Sequence, residues 1–368
     1  MAPRVVSLTP AVFHLPEGVN AVSRAYGAQP IVPRGPAFAP LLAAIRSGVT
    51  AALRASEYEP VFLTGTGSTA MAAVLGSCLH PTERLLVIRN GAYGDRLHEF
   101  ARALGQPMVD MDLPYGERPD LDRVDAILGR GEADAVAVVY GATSSCSLNP
   151  VAEIGALCKR HGKKLFVDGV SALFVEPMEL GAWGISAVMG SCNKGLHAHP
   201  NLTMCLVRED LLAEMQRLPQ RAPSLELVKI QAAQAKGSHP YTIDPMSLLQ
   251  VKAALEALEA EGGVAGRHAI YSARAALLRE GYERLGLTIA RWEGMPLSSI
   301  GTALEIPANV SYEALAHRLA TEEVDGHTFE IYAAQGKLSA RLFRIFHMGS
   351  YELDVYRVFL RALGRALG

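Results

Sequence analysis

Several things are scarce in this 368-residue chain, and each scarcity closes off a class of protein. No stretch reaches the roughly 18 uninterrupted apolar residues of a membrane-spanning helix, and the opening Met1-Ala2-Pro3-Arg4-Val5-Val6 carries no signal-peptide pattern. A cytoplasmic protein with no membrane partner is the expectation. Excess charge is also missing: 35 Lys and Arg stand against 37 Asp and Glu, a formal net charge of -2, with no long basic block. Nucleic acid and anionic surfaces therefore find no electrostatic footprint. Cys78, Cys146, Cys158, Cys192 and Cys205 are odd in number and never fall in Cys-x-x-Cys spacing, so neither a disulfide framework nor a structural zinc site is indicated. Internal repeats and low-complexity segments are likewise absent.

What the chain has is apolar residues, 49% against 20% charged, enough to bury a large core without disorder. Its length exceeds one ordinary core and predicts two domains. Strand-like and helix-like runs alternate through Pro60–Leu63, Ala70–Cys78, Leu85–Arg89, Arg96–Leu104, Ala135–Tyr140 and Ile154–His161. Such βα alternation predicts an α/β fold around a mostly parallel sheet. After Pro245 helical spacing takes over, at Met246–Ala260 and from about Gly266 to Leu285. Ala303–Ile306, His327–Ala333 and Leu342–Phe346 then read as strands of a smaller α+β domain closed by the helix Val355–Leu367. The expected division is a large domain over 16–250, a small domain over 251–368, and a segment 1–15 packing near the active site.

The chemistry concentrates where short apolar runs end. Leu165–Val167 should deliver Asp168 to the carboxyl edge of the sheet, and Ser186–Gly190 should deliver Lys194, in Ser191-Cys192-Asn193-Lys194-Gly195, to the same edge. Thr203–Val207 reads as a further strand beside them. A lysine can form a Schiff base with the aldehyde of pyridoxal 5'-phosphate and later act as a general base on a substrate Cα. An aspartate beside the pyridine nitrogen keeps that nitrogen protonated and the ring an electron sink. Taken singly, a lysine is usually solvated and a strand-end aspartate usually a helix cap. Their convergence is what argues for a site.

Other strand-end loops add suitable groups. Gly65-Thr66-Gly67-Ser68-Thr69-Ala70 opens a helix and offers a phosphate cradle. It also fits the dinucleotide pattern G-x-G-x-x-A, which would want an acidic residue at the end of the next strand; that strand ends in Arg89-Asn90. Tyr93 in Asn90-Gly91-Ala92-Tyr93-Gly94 could stack on a cofactor ring, or merely plug the core. Tyr140-Gly141-Ala142-Thr143-Ser144-Ser145-Cys146 supplies hydroxyls, in a composition that also suits an ordinary turn. His197-Ala198-His199 lacks further ligands, so no metal is assigned and a hydrogen-bonding role in the loop is expected.

The order G-T-G-S-T, N-G-A-Y-G-D-R, S-L-N-P, H-G-K-K-L-F-V-D, S-x-N-K and R-I resembles the class V aminotransferases of PLP fold type I, strongly from about Val61 to Arg208 and weakly beyond. Within that family the likeness is strongest to enzymes that move the amino group of an aminophosphonate, then to those acting on alanine or serine. The resemblance implies that Lys194 is the Schiff-base lysine, Asp168 the pyridinium partner and Tyr93 the stacking ring. It further implies that Thr66, Gly67, Ser68 and Asn193 contact the phosphate, that Ser144 touches the cofactor, and that Thr242 reaches the phosphate of a partner in a homodimer. Arg344, in Leu342-Phe343-Arg344-Ile345-Phe346, matches the arginine that clamps a substrate anion, while Arg341 should face the opposite way.

Three positions depart from the family pattern: Thr9-Pro10-Ala11-Val12-Phe13-His14 in place of a glycine-proline loop, Phe346 where a glycine follows R-I, and Ser145-Cys146 for a threonine-glycine pair. All lie where substrate would sit. The expected activity is therefore a PLP-dependent transamination of a small amino acid or aminophosphonate with a keto-acid acceptor. A PLP-dependent lyase, eliminating or replacing at the β or γ carbon, stands as the alternative, and a nicotinamide-dependent oxidoreductase as the reading outside PLP chemistry.

Overall fold

The computed structural model describes residues 2–12, 14–25 and 31–368. Phe13, part of the altered opening loop, lies outside the described residues.

Seven strands form the main sheet in the spatial order Tyr58–Thr64, Leu202–Arg208, Ala187–Met189, Lys164–Asp168, Ala135–Val139, Leu85–Arg89, Met108–Asp112. All run parallel except Leu202–Arg208, which is antiparallel to both of its neighbours. The strand side chains explain why the sheet lies inside the molecule. Leu165 and Val167 enter one apolar core with Val136, Val138, Leu86 and Ile88, while Phe166 enters the opposite core with Ala135, Ala137, Leu85 and Val87. A strand buried on both faces must be apolar at every position, so these runs read as continuous rather than alternating. The helix Gly67–Ser77 packs on one face through Ala70, Met71, Ala73 and Val74; Phe38–Ala52 and Pro245–Ala260 cover the other.

A second sheet of three antiparallel strands, Gly301–Glu305, Leu342–Phe346 and Tyr332–Ala333, pairs Arg344 with Ala303 on one side and Tyr332 on the other. Phe343 and Ile345 face a core shared with the helix Leu353–Leu367, so Leu342, Arg344 and Phe346 face the other way, toward the main sheet. The run His327–Ala333, expected as one strand, is two. His327–Glu330 pairs in parallel with Arg4–Ser7, while Tyr332–Ala333 pairs with Leu342–Phe346. The partner of the first piece comes from the far end of the chain, which no local pattern could announce. The helix Pro245–Ala260 runs continuously through position 250.

Between the two sheets passes a strap of chain. The Leu8 carbonyl accepts from the Phe346 N–H, the Val12 N–H donates to the Asn193 carbonyl, and the His14 carbonyl accepts from the Ser350 N–H. Arg4–Ser7 is thus anchored on His327–Glu330 in a separate two-stranded sheet, Leu8 meets the three-stranded sheet, and Val12 touches the lysine turn. Among the described residues no helix is long and apolar enough to cross a membrane.

Candidate active site

The carboxyl ends of the parallel strands bring the loops Gly65–Ser68, Asn90–Tyr93, Tyr140–Cys146, Asp168–Ser171 and Gly190–Gly195 to one edge. A cavity of about 290 Å³ opens there, lined by Thr66, Gly67, Ser68, Tyr93, Arg96, Val170, Asn193 and Lys194 among others. Thr66 caps the helix Gly67–Ser77 in extended conformation, with its side chain on the third-position N–H and the Thr69 hydroxyl accepting from the Thr66 N–H. The first turn therefore points free N–H groups at the cavity. At Gly67 a Cβ would lie 2.7 Å from a Val170 methyl, so only glycine lets these two loops close the cavity wall.

Asp168 lies 3% exposed, two places before Val170 of that wall. Its carboxylate accepts the Val170 N–H at 2.9 Å and has no ion pair among the described residues. Burial pushes its pKa up to about 6 against the pull of that N–H and of the Lys194 and Arg96 charges. Lys194 shows the mirror effect: burial drives its pKa down to about 8, opposed by Asp168 and assisted by Arg344 and Arg96. Its Nζ donates to the Pro10 carbonyl at 2.7 Å. Near neutrality the carboxyl is ionised and a usable fraction of the amine is uncharged, which is the state both nucleophile and base require.

The hydroxyl loop is fully buried, and among the described residues Thr143 Oγ1 and Ser144 Oγ have no hydrogen-bond partner. Such atoms are costly unless a ligand meets them. A Cβ on Gly91 would stand 2.6 Å from Ser144 Oγ, so glycine is needed there for the serine to fit. Arg344 is 3% exposed; its Nη1 donates to the Thr143 carbonyl at 2.8 Å, its Nη2 to the Ala333 carbonyl at 2.9 Å, and its guanidinium lies 5.4 Å from the Phe346 ring centre. No carboxylate pairs with it among the described residues. Arg341, by contrast, is exposed, its guanidinium 5.8 Å from the Trp292 ring centre.

Of the expected residues, Thr66, Gly67, Ser68, Tyr93, Asn193 and Lys194 share the cavity, with Asp168 behind Val170. Thr242 is exposed and does not line the cavity of its own chain. The two expected loop histidines are split: His197 is buried and His199 exposed. Sequence reasoning missed Arg96. Its Nη1 reaches the Ser68 hydroxyl at 3.3 Å and its guanidinium covers the Tyr93 ring at 4.7 Å. It stands three places after Tyr93 in the helix Ala92–Ala103, and that i, i+3 spacing was the available signal.

An amine and a carboxylate without ionic partners, an aromatic wall, a helix N-terminus and orphaned hydroxyls fit pyridoxal 5'-phosphate, and the fold is that of the fold type I PLP-dependent transferases. Solved structures agree over almost the whole chain. The alanine–glyoxylate aminotransferase from Nostoc sp. superposes with a TM-score of 0.89 over 100% of this chain and 96% of its own, at 23% identity. The pyridoxamine–pyruvate aminotransferase from Mesorhizobium loti does so with a TM-score of 0.88 over 100% and 92%, at 27% identity. Among sequences, the 2-aminoethylphosphonate–pyruvate transaminase of Aeromonas hydrophila is 34% identical over 318 residues, 84% of this chain and 81% of the relative. The family model described as "Aminotransferase class-V" matches residues 27–289, and the chain belongs to that family. It is a PLP-dependent aminotransferase.

Proposed function

We propose that the chain moves the amino group of an aminophosphonate or a small amino acid to a keto acid, with Lys194 and Asp168 as its catalytic pair. The observation that carries this reading is that these two groups meet at one sheet edge, Asp168 buried and Lys194 half-buried, with no other ionic partner among the described residues and with pKa values drawn toward neutrality from opposite sides. Thr66, Gly67, Ser68 and Asn193 would hold the cofactor phosphate, Tyr93 and Val170 its two ring faces, and Ser144 its ring oxygen. When bound, pyridoxal 5'-phosphate supplies an aldehyde carbon that takes up an amine and a ring that withdraws electrons from the substrate Cα. Asp168 would hold positive charge at the pyridine nitrogen, and the Lys194 amine would take a proton from the substrate Cα and deliver it to the carbon that was the cofactor's aldehyde. Arg344 orients the substrate by its anionic group.

The likeness to the Aeromonas enzyme supports a phosphonate or carboxylate on Arg344. Phe346 and Cys146 narrow the surroundings of that guanidinium, and Cys146 does so from a left-handed backbone (φ 54°) that favours glycine. A homodimer in the cytoplasm is part of the reading: Thr242, exposed on its own chain, would reach the partner's phosphate. So is the division into a large domain over 16–250 and a small domain over 251–368.

The test is to incubate the holoenzyme with 2-aminoethylphosphonate or L-alanine, each with pyruvate or glyoxylate, following cofactor absorbance and products. Amino transfer in step with loss of the keto acid is expected. Release of ammonia or a β-substituent with no need for an acceptor would replace the reading with an eliminating lyase.

A further inference from the structure

The helix Gly263–Arg284 presents Arg267, Tyr271 and Arg274 on its buried face, at 0%, 1% and 7% exposure. Positions i, i+4 and i+7 form one stripe, and a buried stripe is ordinarily apolar. Each of the three is engaged. Arg267 Nη1 donates to the Gly195 carbonyl at 2.6 Å, beside Lys194. Arg274 donates to the carbonyls of His347 at 3.1 Å, Gly349 at 2.8 Å and Tyr351 at 2.7 Å, in the loop that follows the Arg344 strand. Tyr271 lies between them and touches both regions. Its hydroxyl accepts the Gly349 N–H at 2.9 Å and lies 2.6 Å from His197 Nε2.

Burial, with Arg267 and Arg274 nearby, keeps His197 neutral, and in the tautomer that carries its proton on Nδ1 its Nε2 accepts the Tyr271 O–H. The proton of this neutral imidazole sits on Nδ1, 3.5 Å from the Ser350 hydroxyl. His197 is held at φ +63°, where L residues are rare, and its N–H donates to the Lys194 carbonyl at 3.1 Å. An unbroken series of hydrogen bonds thus runs from the turn carrying Lys194, through His197 and the Tyr271 hydroxyl, to the loop behind Arg344.

We propose that Tyr271 is a positioning residue: its hydroxyl fixes the distance between the turn that presents Lys194 and the strand that presents Arg344. This rests on Lys194 being the reactive lysine. A substrate anchored on one loop and deprotonated from another reacts only if the loops keep their spacing, and an ångström of slack is costly in rate. Tyr271 touches neither cavity nor substrate, so its loss should fall on the chemical step rather than on binding.

Tyr271→Phe removes one oxygen and keeps the ring. The variant should take up pyridoxal 5'-phosphate within about threefold of wild type, while the visible circular-dichroism band of the bound cofactor falls by about half or more. In the half-reaction with whichever of 2-aminoethylphosphonate and L-alanine the wild type converts, kcat should fall about tenfold or more with KM within about threefold. His197→Asn, which tolerates the left-handed backbone but cannot span the gap, should do the same, and the double variant should be no worse than either alone. Should Tyr271→Phe fail to fold, His197→Asn carries the test from the other end of the bond. Unchanged circular dichroism and kcat, a loss shared equally with KM, or additive losses would overturn the proposal. Borohydride fixing the cofactor to a different lysine in the wild type would instead defeat the reading of Lys194, and the proposal with it.

Discussion

Asp168, buried, and Lys194, half-buried, stand at the edge of the seven-stranded sheet with little to bond to, whereas Arg344, on the three-stranded sheet, has its guanidinium committed to the Thr143 and Ala333 carbonyls. The carboxylate accepts one backbone N–H and the amine donates to one backbone carbonyl. Thr143 Oγ1 and Ser144 Oγ, in a neighbouring strand-end loop, have no hydrogen-bond partner among the described residues. The difference matches the role proposed for each group. A group that exchanges protons or partners needs spare bonding capacity, and burial, only partly offset by neighbouring charges, shifts Asp168 up to about 6 and Lys194 down to about 8. A group that only holds an anion in place is better fixed beforehand, so that less side-chain freedom is lost on binding. Two N–H bonds of the guanidinium remain for a substrate after its three contacts, since arginine has five to give.

The contrast breaks most completely at Lys194. Lys194→Ala should lower transamination by more than about 10³-fold, and borohydride treatment of wild type followed by peptide mapping should place the pyridoxyl group on this residue. Residual activity within about tenfold would show that another group does the work. Next comes Asp168→Asn, with an expected loss on the order of 10²- to 10³-fold in kcat and cofactor binding largely kept, because the ring nitrogen loses the charge that holds its proton. Rapid-scanning absorbance of the half-reaction separates the two quantities.

At the committed end the effect should be smaller and of another kind. Removing a buried charged donor to a bound anion costs on the order of 2–5 kcal/mol. Arg344→Ala should therefore cut kcat/KM by at least about thirtyfold while the cofactor spectrum stays as in wild type. Arg341→Ala should change it by less than about twofold, as expected of an exposed side chain. Reversal of that order would mean the anion binds elsewhere.

The smallest effect is thermodynamic and uses the protein without cofactor. A lysine whose pKa is lower in the folded state destabilises the fold wherever it must be charged there, and that penalty is complete below the folded value. For Lys194 it is present below about pH 8 and is relieved as pH rises toward the ordinary value of 10.5. Lys194→Met should accordingly raise Tm most below pH 8, with the gap shrinking up to pH 10.5. A gap that stays constant across that range would mean that the amine is not desolvated.

Much of this was legible in the chain. Leu85–Arg89 and the antiparallel Leu342–Phe346 are strands with the expected limits, and the inner parallel strands fall within a few residues of expectation, because a strand buried on both faces leaves a continuous apolar run; the edge strand Met108–Asp112, with only Met111 buried, was not anticipated. The cavity-lining loops were found because each follows such a run. Arg4–Ser7 was missed: its partner, His327–Glu330, is more than 300 residues away in sequence, and a short edge strand has no periodicity of its own. The antiparallel sense of Leu202–Arg208 was equally invisible, since a short apolar run carries no direction.

By itself, then, the sequence determined the fold class, the family and the kinds of groups at each strand end, because residue type and local period are written into the chain. Tertiary structure alone decided which atoms those groups meet. That the Lys194 amine donates to Pro10, that Arg344 is held by Thr143 and Ala333, that Arg96 lies on Tyr93, and that a tyrosine hydroxyl links the lysine turn to the loop behind Arg344 are facts of juxtaposition. Most of these contacts involve backbone carbonyls and N–H groups, which every residue possesses, so no choice of side chain could advertise them. They exist only once packing has brought distant segments within about 3 Å, where desolvation makes a single hydrogen bond matter.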